Sequence, residues 1–206
     1  MEKLIIFLDN GHGKNTGGKR SPKWDDLPQI FEWEYTRKLV KKIYCKLNEL
    51  GFKSFIITPE DEDISITERT RRIKEYEKQY GKNNCLTISV HLNAFDGSEA
   101  ANGWEAHTYL GYSTSDKYSK IFYKHAEKLL NGKMRIRKGG ADSDPDYDSN
   151  FGMLRMVGGP AILTENGFMT NYEECKKLLT EEMEDTIVDI YHLLNHSNLR
   201  YLHHQI

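Results

Sequence analysis

No apolar run in the 206-residue sequence approaches the roughly 20 residues a helix needs to cross a bilayer, so insertion into a membrane is not expected. Cysteine is scarce: Cys45, Cys85 and Cys175 are three in number and far apart. They can build neither a disulfide framework nor a C-x-x-C metal knuckle, and they read as small core residues in a reducing compartment. Charge of one sign is also lacking. Lys and Arg total 29 against 31 Asp and Glu, a formal net charge of −2. That leaves no electrostatic footprint for nucleic acid or an anionic membrane surface. The opening "MEKLIIFLD" holds only about five apolar residues before an Asp, too short for the apolar part of a signal peptide. It reads as a first strand, and the chain is expected to be made in a cytoplasm without an export signal.

No repeat, low-complexity segment or linker divides the sequence. Residues 1–206 read as one domain with its core over about 4–195 and a polar tail over 196–206. Strand-like runs alternate with helical ones: "LIIFL", a helix from about Glu32 to Leu50, "KSFIIT", and a helix capped by Thr67 and closed by Gly81. Then come "CLTISV", the half-buried strand "GWEAHTYLG", a helix capped by Ser115 or Asp116 and ended by Gly132, the strand "PAILTE", and one or two helices over "NYEECKKLLTEEMEDTIVDIYHLLN". The alternation predicts an α/β domain with a central, mostly parallel twisted sheet flanked by helices on both faces.

The glycine-rich stretch after the first strand, "DNGHGKNTGGKR", invites comparison with a phosphate loop. Gly13 to Lys19 fits G-x-x-x-x-G-K, but Arg20 stands where a Ser or Thr would bind Mg²⁺. Pro22 and Pro28 deny the following segment the helix whose N-terminus such a loop requires. His12 is the other notable residue. Ligands of open α/β sheets bind beyond the carboxyl ends of the strands. There lie Asn10-Gly-His12, His91-Leu-Asn93 and Thr164-Glu165-Asn166. Two imidazoles and one carboxylate are a recurring ligand set for catalytic zinc. His12 and His91 supply the imidazoles, and Glu32, Glu34 or Glu165 the carboxylate. Glu32 stands in the first turn of its helix, where the dipole favours an anion. Glu34, about 200° further round, cannot share its direction. With Glu32 as ligand, Glu165 is free to serve as base.

The segments "LDNGHG", "FEWEYTRKLV", "TERTRRI", "SVHLNAF", "NGWEAHTY" and "GPAILTENGFMTNYEE" resemble, in order, those of the zinc-dependent N-acetylmuramoyl-L-alanine amidases of amidase type 3. The likeness runs from Ile5 to about Asp189. It implies His12, Glu32 and His91 as ligands of one Zn²⁺ and Glu165 as the catalytic carboxylate. It also implies hydrolysis of the bond between N-acetylmuramic acid and L-alanine in bacterial peptidoglycan, which is then the partner. Asn10 departs from the family's usual proline, and the match weakens from Arg137 to Gly159. A monomeric, endolysin-like lysin acting on the wall after release is expected. Another metallohydrolase acting on muropeptides and a non-catalytic peptidoglycan-binding module are the alternatives.

Other features read as structural. "DSDPDYD" spaces Asp142 to Asp148 like a calcium loop, but Tyr147 and Met153 occupy the sixth and twelfth places, so it reads as a solvated acidic loop. His192 and His196 lie one helical turn apart in a polar tail with His203 and His204, and read as surface. For Trp24, Trp33 and Trp104 core packing is favoured over sugar stacking. Asn93 is a residue that could position the ligand loop.

Overall fold

A computed structural model of the chain describes residues 4–97, 100–140 and 144–192. The elements are β1 (Ile5–Asp9), α1 (Glu32–Glu49), β2 (Lys53–Ile56), α2 (Ile66–Tyr80), β3 (Cys85–Asn93), β4 (Trp104–Thr108), α3 (Thr114–Leu129), β5 (Tyr147–Asp148), α4 (Gly152–Met156), β6 (Ala161–Phe168), α5 (Tyr172–Leu178) and α6 (Glu181–His192). They form the single, mostly parallel α/β domain that the alternation of elements predicts. The six strands are ordered β2-β1-β3-β6-β4-β5. β2, β1, β3 and β6 run parallel, while β4 lies antiparallel to β6 and carries β5 parallel to itself. Among the described residues no helix is long and apolar enough to cross a membrane.

Side-chain alternation sorts the core into two layers. Ile6, Leu8, Leu86, Ile88, Val90, Ala106 and Ile162 point one way, into a cluster with Leu39 and Ile43 of α1, Phe122 of α3 and Ile187 of α6. Ile5 and Phe7 point the other way, to Ile73 of α2 and Met153 of α4. Buried on both faces, β1 reads as a continuous apolar run because a parallel strand covered by helices has no wet side.

Several local expectations shift. Ser65, not Thr67, caps α2, its hydroxyl accepting from Glu68 N at 3.2 Å. Ser113 caps α3 in a reciprocal box with Asp116, which moves the start of the helix ahead of Ser115. That helix ends at Leu129, before Gly132. The terminal helical run is two helices. β4 is buried throughout, not half-buried, because its alternate positions Glu105 and His107 are sealed inside a polar network. β5 and α4 occupy the stretch read as irregular. Cys85 and Cys175 are buried as expected, but Cys45 is on the exposed side of α1. His196, His203 and His204, with the rest of the 196–206 tail and Asp142, lie outside the described residues.

The layer under α1 carries much of the stability. Ile43 has no exposed surface, and Ile43→Ala is expected to cost about 2–5 kcal/mol. A lower urea midpoint at unchanged slope in equilibrium unfolding would show it.

Candidate functional site

The site occupies the carboxyl ends of the strands, where α2 and α4 no longer cover the second face of the sheet. Its first component is the turn after β1. Gly11 adopts φ 71°, and a Cβ there would come 2.7 Å from Cε1 of His91. A Cβ on Gly13 would come 2.0 Å from the backbone N of Asp63. Glycine on both sides of His12 thus lets the loop pass between the His91 ring and the 61–63 backbone. Asn10, in the place of the family's proline, fixes the turn by hydrogen bonding: its Nδ2 donates to Thr58 O at 2.9 Å, and its side-chain oxygen accepts from the Thr58 hydroxyl. Thr36 of α1 donates to Asn10 O at 2.6 Å and Arg37 to His12 O at 2.5 Å. The remainder of the glycine-rich stretch turns back on itself, with Thr16 N donating to Gly13 O at 2.9 Å. The next helix begins only at Glu32, so no phosphate cradle forms.

Glu32 opens α1 and reaches over the strand ends. It is 1% exposed. Its Oε1 lies 3.0 Å from His91 Nδ1 and accepts from Leu92 N at 3.2 Å, and its Oε2 lies 3.6 Å from His12 Nε2. The two rings meet edge to face, with centroids 5.2 Å apart. One ligand atom from each of His12, Glu32 and His91 lies within 4.8 Å of the others. The backbone thus brings together three residues from a loop, a helix and a strand. Glu34 is exposed. His91 and Glu165 sit inside β3 and β6, not beyond them, because both strands run on past the residues expected to end them.

The electrostatics match a cation site. Burial brings the His12 pKa down to about 4 against the opposing pull of Glu32, so the ring is neutral and its lone pair available at neutral pH. Burial pushes Glu32 up, but the hydrogen bond from His91 and the charges of both imidazoles outweigh it and hold Glu32 ionised. Glu32 Oε2 is buried without a hydrogen-bond partner, a cost that a bound cation would remove. Behind His91, Nε2 lies 3.1 Å from the Ser89 hydroxyl, which donates to Asp9 Oδ2 at 2.6 Å. Asp9 Oδ1 accepts from Arg69 at 2.9 Å. This relay occupies Nε2–H and turns Nδ1 toward Glu32, where it donates to the carboxylate while it carries a proton and would offer its lone pair to a cation once that proton is displaced. The donor set therefore fits a divalent ion such as zinc.

Glu165 is level with His91 in the β3–β6 register and with Glu105 in the β6–β4 register. Side chains opposite one another share a face, so His91, Glu165 and Glu105 form a row. The Glu165 Oε2 is sealed from solvent without a hydrogen-bond partner. Burial, with the charges of Glu32 and Glu105, raises its pKa to about 8 against the pull of His91. Asn166, the next residue, faces away and donates to His91 O at 3.0 Å.

The sequence reading missed Ser89, Asp9, Glu105, His107 and Arg137. The signal for Glu105 and His107 was present: ionisable residues at alternate positions of an otherwise apolar strand. Asn93 does not touch the His12 loop among its hydrogen bonds; its Nδ2 donates to Glu105 Oε1 at 2.8 Å. In the described part of the acidic loop, Asp144 and Asp146 are not solvated. Asp144 and Asp146 are buried beside Asp116, the three close enough to hold an ion, and Ser119 and Thr108 donate to Asp146, each at 2.6 Å. Trp104 is a core residue with Nε1 donating to Asn166 Oδ1 at 3.0 Å. Trp24 and Trp33 are only partly buried, against Tyr172 and under Arg37 respectively. His192 is also partly buried.

Comparison with known proteins gives a consistent likeness. The family model Amidase_3, described as N-acetylmuramoyl-L-alanine amidase, matches residues 6–192. The amidase CwlM of Bacillus licheniformis is 27% identical over 84% of this chain and 60% of its own length. The endolysin of Bacillus phage SPP1 is 26% identical over 92% of this chain and 63% of its own. This chain thus spans about three-fifths of those relatives. Among solved structures, an N-acetylmuramoyl-L-alanine amidase from Clostridium difficile 630 superimposes with a TM-score of 0.76 at 23% identity, covering 98% of both chains. AmiC2 of Nostoc punctiforme gives 0.75 at 20%, covering 97% of both. At these identities the structural likeness speaks for the fold.

The Ser89 relay yields a test. Ser89→Ala is expected to weaken zinc binding about 10–100-fold, the usual cost of losing a partner behind a ligating histidine. Competition with a chromophoric chelator measures it, and circular dichroism checks that the fold persists.

Proposed function

Because the chain belongs to the Amidase_3 family of N-acetylmuramoyl-L-alanine amidases, we propose that it hydrolyses the amide joining the lactyl group of N-acetylmuramic acid to the L-alanine of the peptidoglycan stem peptide. The observation that carries this reading is the convergence of two imidazoles and a buried carboxylate within 4.8 Å, with a second carboxylate on the neighbouring strand in register with one of them. His12, Glu32 and His91 would hold one zinc ion. Zinc in such a setting polarises a carbonyl and makes water acidic enough to attack near neutral pH.

The rest of the chemistry belongs to the chain. Glu165 takes the proton of the attacking water and returns a proton to the leaving nitrogen. The Ser89–Asp9–Arg69 relay keeps the His91 ring from turning. Asn166 and Leu92 hold the β3 backbone against β6 and Glu32. A pure wall-binding module would need no carboxylate with a raised pKa beside the cation site, which favours the hydrolase. Peptidoglycan is the partner and a monomer the working unit. Lysis of the wall is the outcome we infer for this chain, and the likeness to a phage protein named endolysin supports it.

Two measurements test the reading. Purified protein incubated with peptidoglycan is expected to release new alanine amino termini, and a chelator to abolish them. Equal release in both samples would rule out a metal-dependent reaction. Glu165→Gln is expected to lower kcat about 10²–10⁴-fold while zinc content, read by elemental analysis, stays at the wild-type level. A variant lysing walls at the normal rate would remove Glu165 from the mechanism.

A further inference from the structure

The row formed by His91, Glu165 and Glu105 continues to a cation. Arg137, between α3 and β5, is pinned to β4 through its backbone: its N donates to Trp104 O at 2.9 Å and its O accepts from Tyr123 at 3.0 Å. Its Nε donates to Glu105 Oε2. The guanidinium carbon lies 5.2 Å from the centroid of the Phe168 ring, and the Tyr147 hydroxyl is hydrogen-bonded to the same group. Gly103 makes room for its stem. A Cβ there would come 2.9 Å from Arg137 Cγ, and φ at +118° already disfavours any other residue.

A guanidinium carries five donors in a rigid fork. Glu105 and Tyr147 engage two of them, and 29% of the side chain stays open to solvent. Glu105 does not absorb the charge alone, since it also accepts from Asn93 at 2.8 Å and lies 3.2 Å from His107 Nε2. The ring below, the carboxylate beside and the pinned backbone hold the fork in one place. A surface arginine that must be ordered on binding loses entropy that this one has already lost. Such a group suits a planar anion, above all a carboxylate.

We propose that Arg137 binds a free carboxylate of the stem peptide, on the leaving-amine side of the scissile bond. This rests on the amidase reading of the site. The side follows from the order of elements across the sheet. The residues that would hold the cation lie on the loop after β1, on α1 and on β3, and Glu165 on β6 delivers the proton to the departing nitrogen. The half of the substrate that carries this nitrogen therefore extends past Glu165, over β4, to Arg137. That half is the peptide. Its acidic residue after alanine, joined through its side-chain carboxyl, offers a free α-carboxylate, which some walls convert to a carboxamide.

Binding to the metal-stripped full chain tests this without relying on turnover. The probes are L-Ala–γ-D-Glu–L-Lys, joined through the D-Glu side chain, and the same peptide with the D-Glu α-carboxylate amidated, followed by NMR titration. Wild-type protein is expected to bind the carboxylate form about tenfold tighter, the scale of one charge-assisted hydrogen-bonded pair. Arg137→Met is expected to reduce the preference below about twofold. Because that change strips buried Glu105 of its cation, Arg137→Lys serves as the second variant: it keeps a charge for Glu105 but not the fork, and its preference is also expected to fall. Equal binding of both peptides by wild type, or an undiminished preference in Arg137→Lys, overturns the proposal. Cleavage of muramoyl-peptide by the zinc-loaded protein is followed in parallel. Cleavage without carboxylate preference overturns the role of Arg137 alone. Preference without cleavage overturns the amidase reading, and with it the direction assigned to the peptide.

Discussion

A carboxylate with 1% exposure, held between two imidazoles, is the constraint on which the rest of this structure depends. Removing an ionised group from water costs several kcal/mol even after relaxation, and Glu32 is compensated only in part by His91 and by Leu92 N–H. Its second oxygen is left without a hydrogen bond. The fold maintains this arrangement because α1, whose first turn carries Glu32, is anchored by a buried apolar face that includes Leu39, Ile43 and Leu47. The stability of the layer beneath offsets the cost of the polar site above it.

The same logic extends along the sheet. His91, Glu165 and Glu105 project from one face of three adjacent strands, with Arg69 behind one end and Arg137 beyond the other. Alternating acidic and basic groups keep the row from accumulating negative charge. Glu165 alone has no cationic side chain paired directly with it among the described hydrogen bonds and ion pairs, and it is the carboxyl whose pKa rises to about 8. Glu32 and Glu105, each hydrogen-bonded to a histidine, shift the other way despite burial. Three carboxylates on one surface thus acquire two behaviours from their partners alone.

Much of the architecture was legible from residue order. Apolar runs of strand length alternating with amphipathic helices imply an α/β sheet, and Gly51, with its positive φ, ends α1 where the spacing places it. The misread caps had a shared cause. Ser65 and Ser113 each stand three residues before an acidic residue, yet Thr67, Ser115 and Asp116 are equally good cap formers in isolation. Hydrogen-bond geometry selects among them. Cys45 was misplaced because cysteine's preference for burial says nothing about which side of a helix faces the core. The acidic loop was misread because repeated Asp residues ordinarily stay wet, whereas Thr108 and Ser119, distant in sequence, solvate Asp146 inside the protein.

What the sequence by itself determined is the set of chemical groups and the elements that carry them: a histidine in a glycine turn, a glutamate in the first helical turn, and further histidine and glutamate near strand ends. Those follow from steric and hydrogen-bonding rules that act over a few residues. Which of three glutamates faces the imidazoles, that Glu165 stands level with both His91 and Glu105, and that Arg137 extends the row were decided by the tertiary structure. Strand register joins Glu165 to residues 60 and 74 positions away, and it is set by the packing of whole layers, which no local pattern encodes.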